Sequence, residues 1–221
     1  MYDAAHMGGI IAGGQFQQPL DEGADVITGS TYKSFGGPPS AFIVTNSIDL
    51  AEKLDRIAYP GLTANFDLAR TAAMIISVMD LLEHGTNYAK MCVRNAQTLA
   101  KALVNIGCEV FEVSNRGYTQ SHHLALPALN YKGGDKACRQ LEQANILACG
   151  IELPIEKVEG DFNAIRIGTQ EITRWGMTPK DMPAVADLVA RVLIRNDDSD
   201  RIRNDVIAFR KGFNRIHFIR P

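Results

Sequence analysis

Lys33 stands in the segment Gly29-Ser30-Thr31-Tyr32-Lys33-Ser34-Phe35-Gly36-Gly37-Pro38-Pro39, too polar and too rich in Gly and Pro for a core element. A primary amine attacks a carbonyl carbon only when deprotonated, so imine-forming lysines work partly desolvated or beside another cation. Hydroxyls such as those of Ser30 and Thr31, with exposed backbone N–H groups at Gly36 and Gly37, are the kind of groups that hold a phosphate. Asp3 and His6 form a second group, a carboxylate three residues before an imidazole that leads into the small, Gly-rich stretch 7–14. Small side chains let a flat ring approach the backbone. A metal pair is the rival reading, but no third ligand lies nearby in the sequence. Arg166 sits within the apolar run 164–168, and an Arg among apolar neighbours is rarely buried without a partner. Its planar fork fits a carboxylate at two points. Each signal taken alone also has a plain structural reading: a surface lysine, a capping aspartate beside a surface histidine, and an arginine in a structural ion pair.

The elements that would position these groups follow from periodicity. Residues 24–28 and 41–45 read as short buried strands flanking the Lys33 loop. Loops presented by rigid strands are where chemistry usually sits. A helix is expected over 47–57, opened by Ser47 as N-cap and broken by Tyr59-Pro60-Gly61. The apolar stretch 67–82 reads as a buried helix, and 87–106 as a separate amphipathic helix closed by Gly107 as C-cap. Beyond it, 109–113 and 123–126 alternate as half-buried strands, and 163–168 is a further strand. Residues 135–144, 179–193 and 205–213 are helical, with Pro179 near a first turn. This order describes an α/β protein with a small α/β domain at its C-terminal end, the boundary falling inside the helix after Tyr88.

Composition narrows the class. Of 221 residues, 46% are hydrophobic and 22% charged, as in an ordinary globular protein. A net charge of -2 implies no broad basic surface for nucleic acid. The Arg-rich stretch after Arg195 is interleaved with Asp197, Asp198, Asp200 and Asp205 and reads as a solvated helix face. Cys92, Cys108, Cys138 and Cys149 form no C-x-x-C pair and have no His at ligand spacing, so free thiols in a reducing cytoplasm are expected and no metal. The longest apolar run, 72–82, carries Asp80 and is too short to span a bilayer. No secretory signal pattern opens the chain, because Asp3 and His6 interrupt it.

The groups gain weight in combination. Asp3-x-Ala5-His6, then Asp25-Val26-Ile27 leading into Ser30-Thr31-Tyr32-Lys33 and Gly36-Gly37-Pro38, then Arg166-Ile167-Gly168-Thr169 and Thr173-Arg174-Trp175-Gly176 occur in one order. That order resembles the serine hydroxymethyltransferase family, within the fold-type I pyridoxal-phosphate enzymes, from Asp3 to about Val192. The resemblance implies the C-terminal part of a fold-type I large domain over 1–88, followed by a small α/β domain over 89–221. It implies pyridoxal 5'-phosphate as cofactor and a hydroxymethyltransferase-like activity that makes or breaks the Cα–Cβ bond of a β-hydroxy amino acid of the serine/glycine type. By that resemblance Asp3 would pair with the pyridine nitrogen, Ala5 would lie under the ring and His6 would bond near the phenolic oxygen. Ser30, Thr31, Tyr32 and Gly37 would line the cofactor, Lys33 would hold it covalently, and Arg166 would clamp the substrate carboxylate.

Three departures from the family pattern stand out. Tyr32 precedes the lysine where the family has His. Gly36-Gly37-Pro38-Pro39 stands where it has an Arg-Gly-Pro-Arg run, and Leu62-Thr63-Ala64-Asn65-Phe66-Asp67 follows Pro60-Gly61 where it has a Gly-Gly segment. They speak against a dependence on tetrahydrofolate and fit a side branch, an α-methylserine aldolase or hydroxymethyltransferase or a threonine-aldolase-like enzyme. Family members are about twice this length, so a homodimer or pairing with an N-terminal half is expected. Residues 1–88 would then be poorly stable alone, while the region after Tyr88 folds by itself. The rival from another class is a non-catalytic half that pairs with another subunit; retention of both Lys33 and Asp3 speaks against it.

Overall fold

The computed structural model describes residues 1–195 and 197–220, which form two compact units. One comprises Met1–Lys90 with the C-terminal segment from Phe218, the other Met91–His217.

The first unit is built on a three-stranded sheet. Strands β1 (Tyr2–Asp3) and β2 (Ile27–Ser30) run parallel, with helix α1 (Gly8–Ala12) between them in sequence. Strand β3 (Ala41–Val44) pairs antiparallel with β2, from Ile27 opposite Val44 to Ser30 opposite Ala41. Helix α2 (Ile48–Arg56) opens where expected, the Ser47 side chain accepting from Leu50 N–H. A wide helical turn, Ile57–Leu62, then breaks at the non-helical Tyr59. Ala4, Ile10, Ile27, Phe35, Leu81, Tyr88 and Ala89 form the buried interior of this unit.

Helix α3 (Leu68–Ile106) corrects the sequence reading, because the two expected helices are one. Gly85 in a helix interior reads as a break, since Gly costs about 1 kcal/mol there relative to Ala. Here it serves close packing: a Cβ on Gly13, just past α1, would lie 2.5 Å from the Gly85 carbonyl oxygen. The expected burial also fails. Strand β3 and the first half of α3 present apolar side chains to solvent, with Ile76 at 59% and Leu82 at 82% exposure. Ile57, Leu62, Phe66 and Leu68 extend this exposed surface. Apolar composition marks surfaces that need cover, and among the described residues of this unit nothing covers these.

The second unit has a sheet of order β4-β6-β5, formed by β4 (His123–Pro127), β5 (Cys149–Ile151) and β6 (Ala164–Gly168), both pairings antiparallel. Helices α4 (Gly134–Gln143), α5 (Gln170–Arg174), α6 (Met182–Leu193) and α7 (Ser199–Arg210) accompany the C-terminal part of α3. One core joins them, including Leu99, Leu103, Leu126, Leu141, Ile165, Met182, Val189 and Ile202. The stretch 109–113 is not a strand. Only Val113 bridges, to Gly117, because the chain reverses through Asn115 and Gly117 in the left-handed region before a ladder can extend.

Asp161 caps α4 from a neighbouring loop. Its carboxylate accepts from the N–H groups of Asp135 and Lys136, and from that of Phe162. Burial pushes the Asp161 carboxyl up, but these three donors, with Arg139 nearby, outweigh it and hold it below its ordinary range. A carboxyl lowered by folding stabilises above its unfolded pKa, and that contribution is lost as pH falls through the folded value. Asp161→Ala is therefore expected to cost about 0.5–2 kcal/mol at neutral pH, the usual range for a lost cap. The wild-type advantage should shrink under acid conditions, as read from urea unfolding of both proteins across pH.

Candidate functional site

Parallel strands place their carboxyl ends on one edge of a sheet, where ligands of α/β proteins commonly bind. Asp3 ends β1 and Ser30 ends β2, with Ala4 N–H bonded to the Thr28 carbonyl at 2.7 Å. The two turns that leave these strands therefore begin side by side. In the first, Asp3 Oδ1 accepts from Ala5 N–H at 2.8 Å, which fixes an exposed carboxylate over the strand end. In the second, Gly37 N–H bonds the Thr31 carbonyl at 2.6 Å and Gly36 N–H bonds the Lys33 carbonyl at 3.0 Å. The Thr31 hydroxyl donates to the Pro38 carbonyl, and Thr31 is buried.

The structure brings Lys33 and His6 together, with Nζ 3.3 Å from Nε2. Lys33 is half-buried and Tyr32 beside it is exposed, the Lys33 Nζ lying 5.8 Å from the Tyr32 ring centroid. Ser30 is half-buried at the end of β2, and Gly37 is half-buried with Ser77 Oγ 3.4 Å from where its Cβ would be. The Thr31 hydroxyl is thus engaged within the loop, so its role here is to shape the turn.

Ser34 is the residue that sequence reasoning missed. It is buried, its hydroxyl donates to the His6 carbonyl at 2.5 Å, and its Oγ accepts from Gly9 N–H at 3.1 Å. It stitches the Lys33 turn to the His6 turn. Gly9 makes this possible, since a Cβ there would lie 2.1 Å from the Ser34 carbonyl oxygen. Tyr88 of α3 donates to that same carbonyl at 3.0 Å. A Ser directly after the Lys and a Gly three residues after His6 were the only signals in the sequence, and neither is specific.

Arg166 belongs to the second unit, at the middle of β6, opposite Ala125 of β4 and Cys149 of β5. The strand end beyond it is pinned. Thr169 Oγ1 donates to the Cys92 carbonyl at 2.7 Å, Thr173 Oγ1 to the Thr169 carbonyl at 2.7 Å, and Asn95 Nδ2 to Thr173 Oγ1 at 2.9 Å. The two threonines of the Arg166 segment are therefore structural. Among the described residues no group of three or more His, Cys, Asp or Glu side chains is placed to hold a metal ion.

Residues 1–189 match the family described as serine hydroxymethyltransferase. The alpha-methylserine aldolase of a Ralstonia species is 45% identical over 220 residues, covering 100% of this chain and 50% of that protein. An alpha-methylserine aldolase of Variovorax paradoxus is 52% identical over 87% of this chain and 44% of its own length. The serine hydroxymethyltransferase of Archaeoglobus fulgidus is 41% identical over 99% of this chain and 50% of its own. Among solved structures, the L-threonine transaldolase of Pseudomonas fluorescens in its internal aldimine state superposes with TM-score 0.86 at 29% identity, over 96% of this chain and 48% of that one. The expected α/β fold, part of a fold-type I enzyme, is the one this match shows. The chain spans about half the length of the curated relatives it matches. On residues 1–189 it belongs to the serine hydroxymethyltransferase family.

Proposed function

We propose that this chain supplies the C-terminal half of an enzyme that makes or breaks the Cα–Cβ bond of a β-hydroxy amino acid. The family implies pyridoxal 5'-phosphate as its cofactor. The observation that carries the reading is the Lys33 amine held 3.3 Å from the His6 imidazole, on the strand edge that also bears the Asp3 carboxylate. An amine, an imidazole and a carboxylate on two adjacent turns, with only the small residues Ala4 and Ala5 between Asp3 and His6, fit the donor and acceptor set of that cofactor. When bound, pyridoxal phosphate supplies a ring that takes up negative charge developing at the substrate Cα.

The residues of this chain have separable roles. Lys33 would hold the cofactor, and His6, 3.3 Å from its amine, is placed to exchange a proton with it. Asp3 would face the ring nitrogen of the bound cofactor and favour its protonated form through charge proximity. Ser30, Thr31, Tyr32 and Gly37 shape the loop around it. Arg166 would hold the substrate carboxylate with two parallel hydrogen bonds.

The exposed apolar surface of the first unit supports packing against the part of the relatives that this sequence does not span, with the completed protein dimeric. The absence of any long apolar helix suited to crossing a membrane among the described residues, together with four free thiols, is consistent with a cytoplasmic place for it. Co-expression with the N-terminal half of the Ralstonia relative gives the paired protein in which activity is testable.

A folate-independent aldolase acting on α-methylserine is the sharper form of the proposal. It is favoured by the departures around Lys33 and after Pro60-Gly61, and by relatives of that name at 45% and 52% identity. In the paired protein, cleavage of α-methylserine is expected to exceed that of L-serine and to proceed without tetrahydrofolate. Arg166→Lys should weaken substrate binding while leaving cofactor absorbance unchanged, because lysine keeps the charge and loses the fork. Strict folate dependence with L-serine as best substrate would return the activity to serine hydroxymethylation.

A further inference from the structure

The C-terminal segment returns to the first unit, well past residue 189, where the family match ends. Arg220 N–H donates to Asp80 Oδ1 at 2.9 Å, and its guanidinium approaches the same carboxylate at 3.8 Å. The Asp80 side chain is 13% exposed, so this anchor is screened less than a surface pair. Two residues earlier Phe218 takes φ 60°, a conformation that non-glycine residues hold only where their surroundings impose it. Its ring centroid lies 5.7 Å from that of Tyr88. Tyr88 is 1% exposed, and its hydroxyl bonds the Ser34 carbonyl, adjacent to Lys33.

The contacts run without a gap from the chain end to the reactive loop. Arg220 on Asp80 fixes the segment, Phe218 packs on Tyr88, Tyr88 holds the Ser34 carbonyl, and Ser34 ties the Lys33 turn to His6. A buried tyrosine hydroxyl needs a partner, and that of Tyr88 donates to the Ser34 carbonyl. Within the loop between Thr31 and Pro38 the bonds of the Thr31 hydroxyl, Gly36 and Gly37 close on the loop itself, while Phe35 packs on Phe42 of β3 with ring centroids 5.5 Å apart.

We propose that Tyr88 and Phe218 are positioning residues for Lys33, the C-terminal segment acting as a strap that fixes the amine against His6. This rests on the reading of Lys33 as the cofactor lysine. Neither residue touches the reacting atoms. Both act through the Ser34 carbonyl.

The test uses the paired protein without cofactor. Lys33 is labelled with trace acetic anhydride across pH and read by peptide mass spectrometry, with the exposed Lys53 as internal reference. The rate of covalent adduct formation with pyridoxal phosphate is measured alongside. Tyr88→Phe keeps the ring and loses the hydroxyl bond, Phe218→Ala removes the packing, and Phe218→Tyr preserves it. The first two should change the Lys33-to-Lys53 labelling ratio severalfold and slow adduct formation about tenfold or more, the scale on which a displaced reacting group loses rate. Phe218→Tyr should behave as wild type. Unchanged labelling and adduct rates in Tyr88→Phe and Phe218→Ala, while His6→Asn shifts them, would overturn the strap and leave Lys33 as the cofactor lysine. An adduct on another lysine in the wild-type pair would remove the reading on which the strap rests.

Discussion

Lys33→Ala in the paired protein is expected to leave no covalent pyridoxal phosphate adduct and no measurable turnover. The amine lies 3.3 Å from His6 Nε2, so two functions are lost at once, the covalent hold and a proton-transfer partner. Proton transfer alone is worth on the order of 10²–10⁴-fold. The fold should survive, because Lys33 is half-buried in a turn whose hydrogen bonds come from Thr31, Ser34, Gly36 and Gly37, not from the lysine amine. Unfolding transitions of wild type and Lys33→Ala should therefore coincide while cofactor absorbance differs. Turnover retained in Lys33→Ala would move the cofactor to a different lysine.

Asp3→Asn should retain cofactor and lose chemistry. The carboxylate is anchored by Ala5 N–H at the end of β1, and asparagine can keep that bond through its amide oxygen. The negative charge is what disappears. An opposite charge within a few ångströms shifts a titration by about 1–3 pKa units. At about 1.4 kcal/mol for each unit, the chemical step should slow by roughly 10- to 10³-fold. Single-turnover kinetics with α-methylserine separates this from binding. Equal rates in wild type and Asp3→Asn would reduce the residue to a turn cap.

The candidate groups stand out only in combination, through an order along the chain that resembles the family's. Asp3, Ala5 and His6 share one turn, and Lys33 shares another with Ser30, Thr31 and Gly37. What joins the turns was not legible. Ser34 bonds Gly9 across 25 residues, and Tyr88 reaches Ser34 across 54, distances over which neither residue type carries a sequence signal. Elements of two to five residues, β1, α1, β5 and α5, escape periodicity because they are too short to show one. The stretches 67–82 and 87–106 were read as separate helices, whereas one helix runs through both and Gly85 within it packs against Gly13. The apolar run 67–82 was read as buried for a sound reason, but hydrophobicity reports only that a surface seeks cover. It does not say which polypeptide provides it.

The most direct test of the account is chemical mapping of the cofactor lysine. The paired protein is loaded with pyridoxal phosphate, reduced with borohydride, digested and sequenced by mass spectrometry. The expected result is a pyridoxyl group on Lys33 and no other lysine of this chain. A pyridoxyl group on Lys53, Lys90 or any other lysine, with Lys33 unmodified, would contradict it.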